Sequence, residues 1–423
     1  LTFTGNRITK VGVNFFRKIS ANKAGLIFLS ICYGLILLLV VLQFLVRLTP
    51  WLGDTQAPQV EISGLNHSLS FNAAVTFQVT AYDKQSAVGR IGVFLDGKQI
   101  DSWHGHSHNV AKEFRFDSSG LHEGRYVLHI EVADTSLFTH TNYTRYEILI
   151  DRTPPSLFMS DGNPVVRQGN TLALFVQAGE RLKELSGKLF DKTLRFFPRG
   201  SNHKSYRCLL GIPVLQVAKQ FPLHLTAVDL AGNRSELDIS VDIEKTGFHK
   251  EAITLTPGKA GLFTDVKSIR EDARKINAVF TTYSADQLWQ QSFVQPTTGH
   301  ISSHFGEQRV FNRRVYSVHG GVDIANRAGT PIYAANTGTV ALAEKLHLFG
   351  NAVIIDHGQG LHTMYAHMRK LMVTAGRKIV KGQLIGYMGD TGLTTGPHLH
   401  WEMRIGRVAV NPFQWTKRSF DFP

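Results

Sequence analysis

Three clusters in the last third of this 423-residue sequence combine residue types that can do hydrolytic chemistry. They are His319-Gly320-Gly321-Val322-Asp323, Tyr365-Ala366-His367 and His398-Leu399-His400. Successive side chains of a strand alternate faces, so His398 and His400 project to one side while Leu399 and Trp401 point into a core. Two imidazoles then share one site. If His400 joins His319 and Asp323 on a metal, the site has two nitrogen donors and one carboxylate, with His367 and His398 left over beside it. Three protein ligands leave the fourth tetrahedral position open for water, which is the count of a catalytic zinc; a structural zinc is usually closed by four ligands.

Short glycine-rich turns between apolar strands surround these clusters in a fixed order. They include Ser303-His304-Phe305-Gly306 with Arg309, Gly329-Thr330-Pro331, Gly338-Thr339-Val340, Gly350-Asn351, Asp356-His357-Gly358, Gly382-Gln383 and Gly396-Pro397-His398-Leu399-His400-Trp401-Glu402. From about Pro296 to Pro412 the chain resembles the lysostaphin-type, LytM-like zinc peptidases, which cut peptide cross-links in bacterial cell walls. The resemblance implies a β-rich zinc peptidase domain. It places zinc on His319, Asp323 and His400 and the catalytic histidines at His367 and His398. Relatives that have lost ligands activate other wall hydrolases, and a non-enzymatic regulator is the alternative function; the ligand set here is complete. One departure is His304, where the family carries a small residue or proline, and no role is assigned to it. His357, beside Asp356, is read as structural. Glu402 shares a face with His398 and His400, and solvation is expected there rather than a partnership with a ligand.

The chemistry implied is that of a metal hydrolase. Zinc polarises the scissile carbonyl and lowers the pKa of its water toward about 7. One of His367 and His398 then accepts the water proton, while the other stabilises the oxyanion or protonates the leaving amine. The sequence does not divide those roles.

The preceding elements must deliver this domain to its substrate. Ala24 to Val46 is a run of 23 uncharged residues, long enough at about 1.5 Å per residue to cross a hydrocarbon core about 30 Å thick. It is expected to be a transmembrane helix (24–46) following a cytoplasmic basic segment (1–23). Arg7, Lys10, Arg17, Lys18 and Lys23 precede it without an acidic residue, and beyond Arg47 the next basic residue is Lys84, so the N-terminus stays in the cytoplasm. The remainder then faces the periplasm or cell exterior, on a single-pass protein of the cytoplasmic (inner) membrane. The stretch is long for a cleaved signal peptide, and an uncleaved anchor is expected. The first residue is Leu1, as for a chain whose start is missing or whose initiator is non-standard.

An internal repeat divides the middle of the chain. Asp54-Thr55-Gln56-Ala57-Pro58 recurs as Asp151-Arg152-Thr153-Pro154-Pro155, and the Val127 to Asp134 run recurs as Leu223 to Asp229. A period of roughly one hundred residues suits a β-sandwich. Phe77, Val79 and Ala81 share one face of a strand, as do Tyr146, Ile148 and Ile150. Two immunoglobulin-like sandwiches, 56–150 and 151–244, are therefore expected as spacers. Between them and the peptidase domain (296–416), residues 245–295 read as a helical, regulatory linker with helices at Val266 to Phe280 and Ala285 to Phe293. His104, His106 and His108 alternate along a strand and are read as a solvated hairpin tip. Cys32 and Cys208 are the only cysteines, one inside the span and one outside, so no intrachain disulfide is expected.

The net charge of +13 favours anionic wall polymers or membrane surfaces. Arg309, Arg313 and Arg314 precede the first ligand and lie where they can line a groove for acidic peptide stems. Export excludes nucleic acid. The sequence thus reads as a mostly β, membrane-anchored zinc endopeptidase with peptidoglycan as substrate, the cytoplasmic membrane as support and room for a regulatory protein partner.

Overall fold

The computed structural model describes residues 23–48, 54–65, 68–72, 74–160, 162–253, 262, 264–311 and 315–420. Two compact units divide it, Leu1–Thr153 and Pro154–Pro423.

The first unit contains helix α1, Lys23–Leu48. Its stretch Gly25–Phe44 is long and apolar enough to cross a membrane, and none of it is buried in protein. A helix apolar all round has no polar face to offer water. Beyond it, Gln59–Ser63, Val75–Tyr82 and Asn109–Phe116 form one antiparallel sheet. Ser68–Phe71, Thr141–Ile150, Gly124–Asp134, Val88–Leu95 and Lys98–Ser107 form a second, in that order. The two sheets share one core. Phe77, Val79 and Ala81 from the first meet Ile91, Ile130 and Ile148 from the second. The period-two pattern read from the sequence is therefore the pattern of burial.

The second unit begins with another pair of sheets around a common core of Leu174, Val176, Leu223, Leu225 and Val241. These sheets are fastened to the C-terminal body. Leu209 and Val214 enter its core, and Arg207, fully buried, donates from Nη1 to the Phe420 carbonyl at 2.9 Å and from Nη2 to Gln287 and Gln359. Its guanidinium also lies 4.6 Å from the Trp289 ring. Thr171 closes the seam. Its amide donates to Gln414 and its hydroxyl accepts from Trp415 Nε1, side chains presented by the short helix α3, Pro412–Lys417.

Helix α2, Val266–Phe280, matches the expected bounds. Asp265 caps it by accepting from the Ser268 amide at 3.0 Å, an N-terminal device that the sequence carries in full. Ile276 and Phe280 bury one face against Leu342, Leu346, Ile354 and Met364. The second expected helix, Ala285 to Phe293, does not form. Leu288 and Phe293 donate their amides to the His357 and Trp415 carbonyls, and Gln290 donates its amide to Asn336. Trp289 and Phe293 are buried in the core. Tertiary partners for amides and side chains outweigh the helical period, so the segment runs irregularly over the C-terminal body.

That body is a ten-stranded sheet. At its centre His398–Ile405 lies between Gly321–Ala325 and Leu361–Leu371, all antiparallel, with Asp323 and Ala366 both opposite His400. Leu399 and Trp401 are fully buried on the other face. Strand register alone thus brings three distant segments together.

Candidate metal centre and active site

His319, Asp323 and His400 converge as one donor group. His319 Nε2 lies 3.0 Å from Asp323 Oδ1 and 3.1 Å from His400 Nδ1, and the latter lies 2.9 Å from Asp323 Oδ1. Tetrahedral donors at about 2.0 Å from a zinc ion stand about 3.3 Å apart, so this triangle fits such an ion with little adjustment. All three residues are buried.

Each candidate donor atom is selected by what its residue does at the other end. His319 Nδ1 donates to the His304 carbonyl at 2.8 Å, which leaves Nε2 for a metal. His400 Nε2 donates to Glu402 Oε2 at 3.3 Å, which leaves Nδ1. Arg309 Nη2 holds Asp323 Oδ2 at 2.9 Å, which leaves Oδ1. Fixing tautomer and orientation in this way is how groups behind the ligands tune a metal site.

The expectation of a solvated Glu402 is therefore corrected. Glu402 is 2% exposed, and its other oxygen accepts from Arg404 Nε. Burial would push its pKa up, but Arg404 and His400 outweigh that and hold it at about 2. Asp323 is likewise carried well below its ordinary value, burial being outweighed by the imidazoles of His319 and His400 beside it. The same carboxylates overcome burial at His400 and raise it to about 9. Placement against Gly320 explains Glu402's access, because a side chain there would meet Glu402 Oε1 at 2.9 Å. At Gly321 a Cβ would approach the Trp401 carbonyl to 2.5 Å. The two glycines of His-Gly-Gly-Val-Asp thus let this strand lie close against the one carrying His400.

His367 and His398 stand beside the donor triangle, their ring centres 4.9 Å apart. His367 Nδ1 donates to the Thr391 carbonyl at 2.9 Å and His398 Nδ1 to the Gly396 carbonyl at 2.8 Å. Both rings keep a free Nε2 lone pair. Burial, helped by the neighbouring His398 and His400, pushes the His367 pKa down to about 3, and burial lowers His398 as well. Both are neutral at pH 7 and able to accept a proton. The His367 backbone has φ +63°, a left-handed conformation costing about 1–3 kcal/mol in a non-glycine residue and concentrated at functional sites.

Other candidates fall outside this group. His357 is buried away from it, with Nδ1 on the Thr337 carbonyl and Nε2 on the Thr363 hydroxyl. His304 contributes its carbonyl, and its side chain pairs with Glu307. His104, His106 and His108 are exposed, and His108 Nδ1 lies 2.9 Å from the Asp83 carbonyl. Arg313 and Arg314 lie outside the described residues. Cys208 is buried with its thiol pushed up to about 12 by burial. Thr391 and the His304 carbonyl were not singled out from sequence, because a carbonyl partner leaves no trace in residue type.

The fold and the donor group define a metallopeptidase domain. Residues 317–412 match the family described as Peptidase family M23, so the chain carries an M23 peptidase domain. It is similar to peptidoglycan DD-endopeptidase ShyA of Vibrio cholerae, 34% identical over 154 residues that cover 36% of this chain and 33% of the relative. It is also similar to DD-carboxypeptidase/endopeptidase Mpg of Neisseria meningitidis, 39% identical over 112 residues covering 26% of each chain. The match thus spans a third or less of these relatives' length. Among solved structures, an M23 peptidase from Pseudomonas aeruginosa superposes with a TM-score of 0.45 and 24% identity, over 62% of this chain and 96% of that one.

Proposed function

We propose that the protein is a zinc endopeptidase that hydrolyses peptide cross-links of bacterial peptidoglycan. The observation that carries this reading is the convergence of His319 Nε2, Asp323 Oδ1 and His400 Nδ1 beside two neutral imidazoles, inside the segment matched by the M23 family. The similarity to ShyA and Mpg supports the substrate class.

His319, Asp323 and His400 would hold the zinc. When bound, zinc supplies Lewis-acid polarisation of the scissile carbonyl and a water whose pKa is lowered toward about 7. His367 and His398 take the proton work. One accepts the proton of the attacking water at Nε2; the other steadies the oxyanion or hands a proton to the leaving amine once its own Nε2 has taken up a proton. Arg309 keeps Asp323 Oδ2 occupied, and Glu402 holds the His400 ring in place. The Thr391 and Gly396 carbonyls fix the two catalytic rings, which orients them without further reorganisation during reaction.

In this reading α1 anchors the chain in the cytoplasmic membrane, with the basic residues before it inside and the peptidase domain in the periplasm or cell exterior. Residues 56–150 and 151–244 are assigned to immunoglobulin-like sandwiches and 296–416 to the peptidase domain.

The test uses the full chain in detergent, because the second pair of sheets shares a core with the peptidase body. Zinc-loaded protein is incubated with cross-linked peptidoglycan, and the released muropeptides are analysed by mass spectrometry. New peptide ends that vanish with a chelator are expected. His400→Ala loses both metal and activity, whereas His367→Ala keeps its metal and loses turnover. Hydrolysis by metal-loaded His367→Ala would refute the assignment of that ring.

A further inference from the structure

Helix α2 divides its charges between two faces. On the side facing the sheet, Asp272 accepts from the His347 amide and Lys275 pairs with Glu344 at 2.9 Å. On the other side, Arg270 and Arg274 stand four residues apart and therefore next to each other. Neither makes an ion pair among the described residues, although both are exposed. Like charges at this spacing repel.

The surroundings deepen the imbalance. Arg270, Arg274, Thr281 and Arg407 line a recess of about 470 Å³. It adjoins a second recess of about 340 Å³ at the seam with the preceding pair of sheets, lined by Lys192, Arg195, Thr281 and Arg407 among others. Thr281 and Arg407 belong to both, so the two form one groove. Five cations line it, and among the described residues no carboxylate does. Arg195 is held over the Tyr283 ring at 4.4 Å, which fixes one guanidinium without neutralising it.

Position sets the occupant apart from the bond being cut. Arg407 lies in the turn just beyond Ile405, at the far end of the strand that begins with His398. Five residues separate His400 from Ile405, about 17 Å at about 3.3 Å per residue. The groove is thus remote from the metal centre on the same strand. We infer that it is a second substrate-binding site, which takes the carboxylates of acidic stem peptides on wall strands other than the bond under attack. Guanidinium groups suit this ligand because each can accept a carboxylate in a bidentate pair. The inference rests on the peptidoglycan reading and adds to it a subsite that retains the enzyme on polymer.

The test compares the full-length protein in detergent with the triple variant Arg270→Glu/Arg274→Glu/Arg407→Glu, and with the triple Arg→Lys variant as a control for folding and charge. Sedimentation with purified sacculi is expected to weaken about tenfold or more in the Glu variant and to remain within about threefold in the Lys variant, with binding falling as salt rises. Hydrolysis of a soluble cross-linked muropeptide dimer should stay within about twofold in both, since the metal centre is untouched. Sacculi whose carboxylates have been amidated should bind wild type as weakly as untreated sacculi bind the Glu variant. Undiminished sedimentation of the Glu variant, or equal loss on sacculi and soluble dimer, overturns the inference. Loss of binding to phosphatidylglycerol vesicles with sacculi binding intact overturns it in favour of a lipid surface. A wild-type protein that binds sacculi through these arginines yet releases no peptide would refute the endopeptidase reading and leave the groove standing.

Discussion

Glu402→Gln isolates the contribution of a residue that stands behind the donor triangle. Glu402 serves two donors at once, His400 Nε2 through Oε2 and Arg404 Nε through Oε1. A glutamine amide offers one oxygen, so one donor loses its acceptor in a position that is 2% exposed. A hydrogen bond to a charged group is worth about 1.5–3 kcal/mol, which corresponds to about 10- to 100-fold in metal affinity, the usual range for a group behind a ligand. Metal-free protein is titrated with zinc at pH 7.5 against a chromophoric chelator, with a thermal melt to confirm that both variants are folded. The dissociation constant should rise about 10- to 100-fold, and turnover at saturating zinc should fall less than affinity does. Zinc affinity within about twofold of wild type would refute the idea that Glu402 positions His400, and would return it to a passive buried role.

Three further outcomes are expected. Burial holds the His357 pKa at about 3, below the unfolded value of about 6.5, so the unfolded state binds the extra proton and stability falls as pH drops below about 6.5 toward 3. By pH 5 this costs about 2 kcal/mol, and the stability gap between wild type and His357→Gln in urea unfolding should narrow by that amount between pH 7.5 and pH 5. Arg207→Met strips donors from the Phe420 carbonyl, Gln287 and Gln359, and should lower stability by about 3 kcal/mol; an unchanged midpoint in the same unfolding experiment would show that the seam does not depend on it. Gly350 has φ +62°, and a Cβ there would meet the Thr391 carbonyl at 2.3 Å. Since that carbonyl holds His367, Gly350→Ala should cost about 100-fold in turnover while zinc binding, measured by the chelator titration, persists.

The histidines and the aspartate of the site were legible because metal donors and proton carriers are rare side-chain types whose identity is written in the chain. Strand alternation then assigned Leu399 and Trp401 to the core and His398 and His400 to the opposite face. The apolar run of α1 and the cap and period of α2 were legible for the same reason: each depends on residues within a few positions of one another. Ala285 to Phe293 misled because its apolar spacing imitates a helix, while the partners that hold it out of one, His357, Asn336 and Trp415, lie far away in sequence.

Residue type and local spacing were enough to nominate side chains able to hold a metal or move a proton, and to mark where the chain turns apolar enough for a membrane. Tertiary structure alone decided that Glu402 is buried behind His400, that carbonyls of His304, Thr391 and Gly396 choose the free nitrogen of each ring, and that Arg207 welds the preceding sheets to the peptidase body. The physical reason is that burial and hydrogen-bond partnership are relations between segments distant in sequence. Every residue carries a carbonyl, and only the fold determines which of them meets an imidazole.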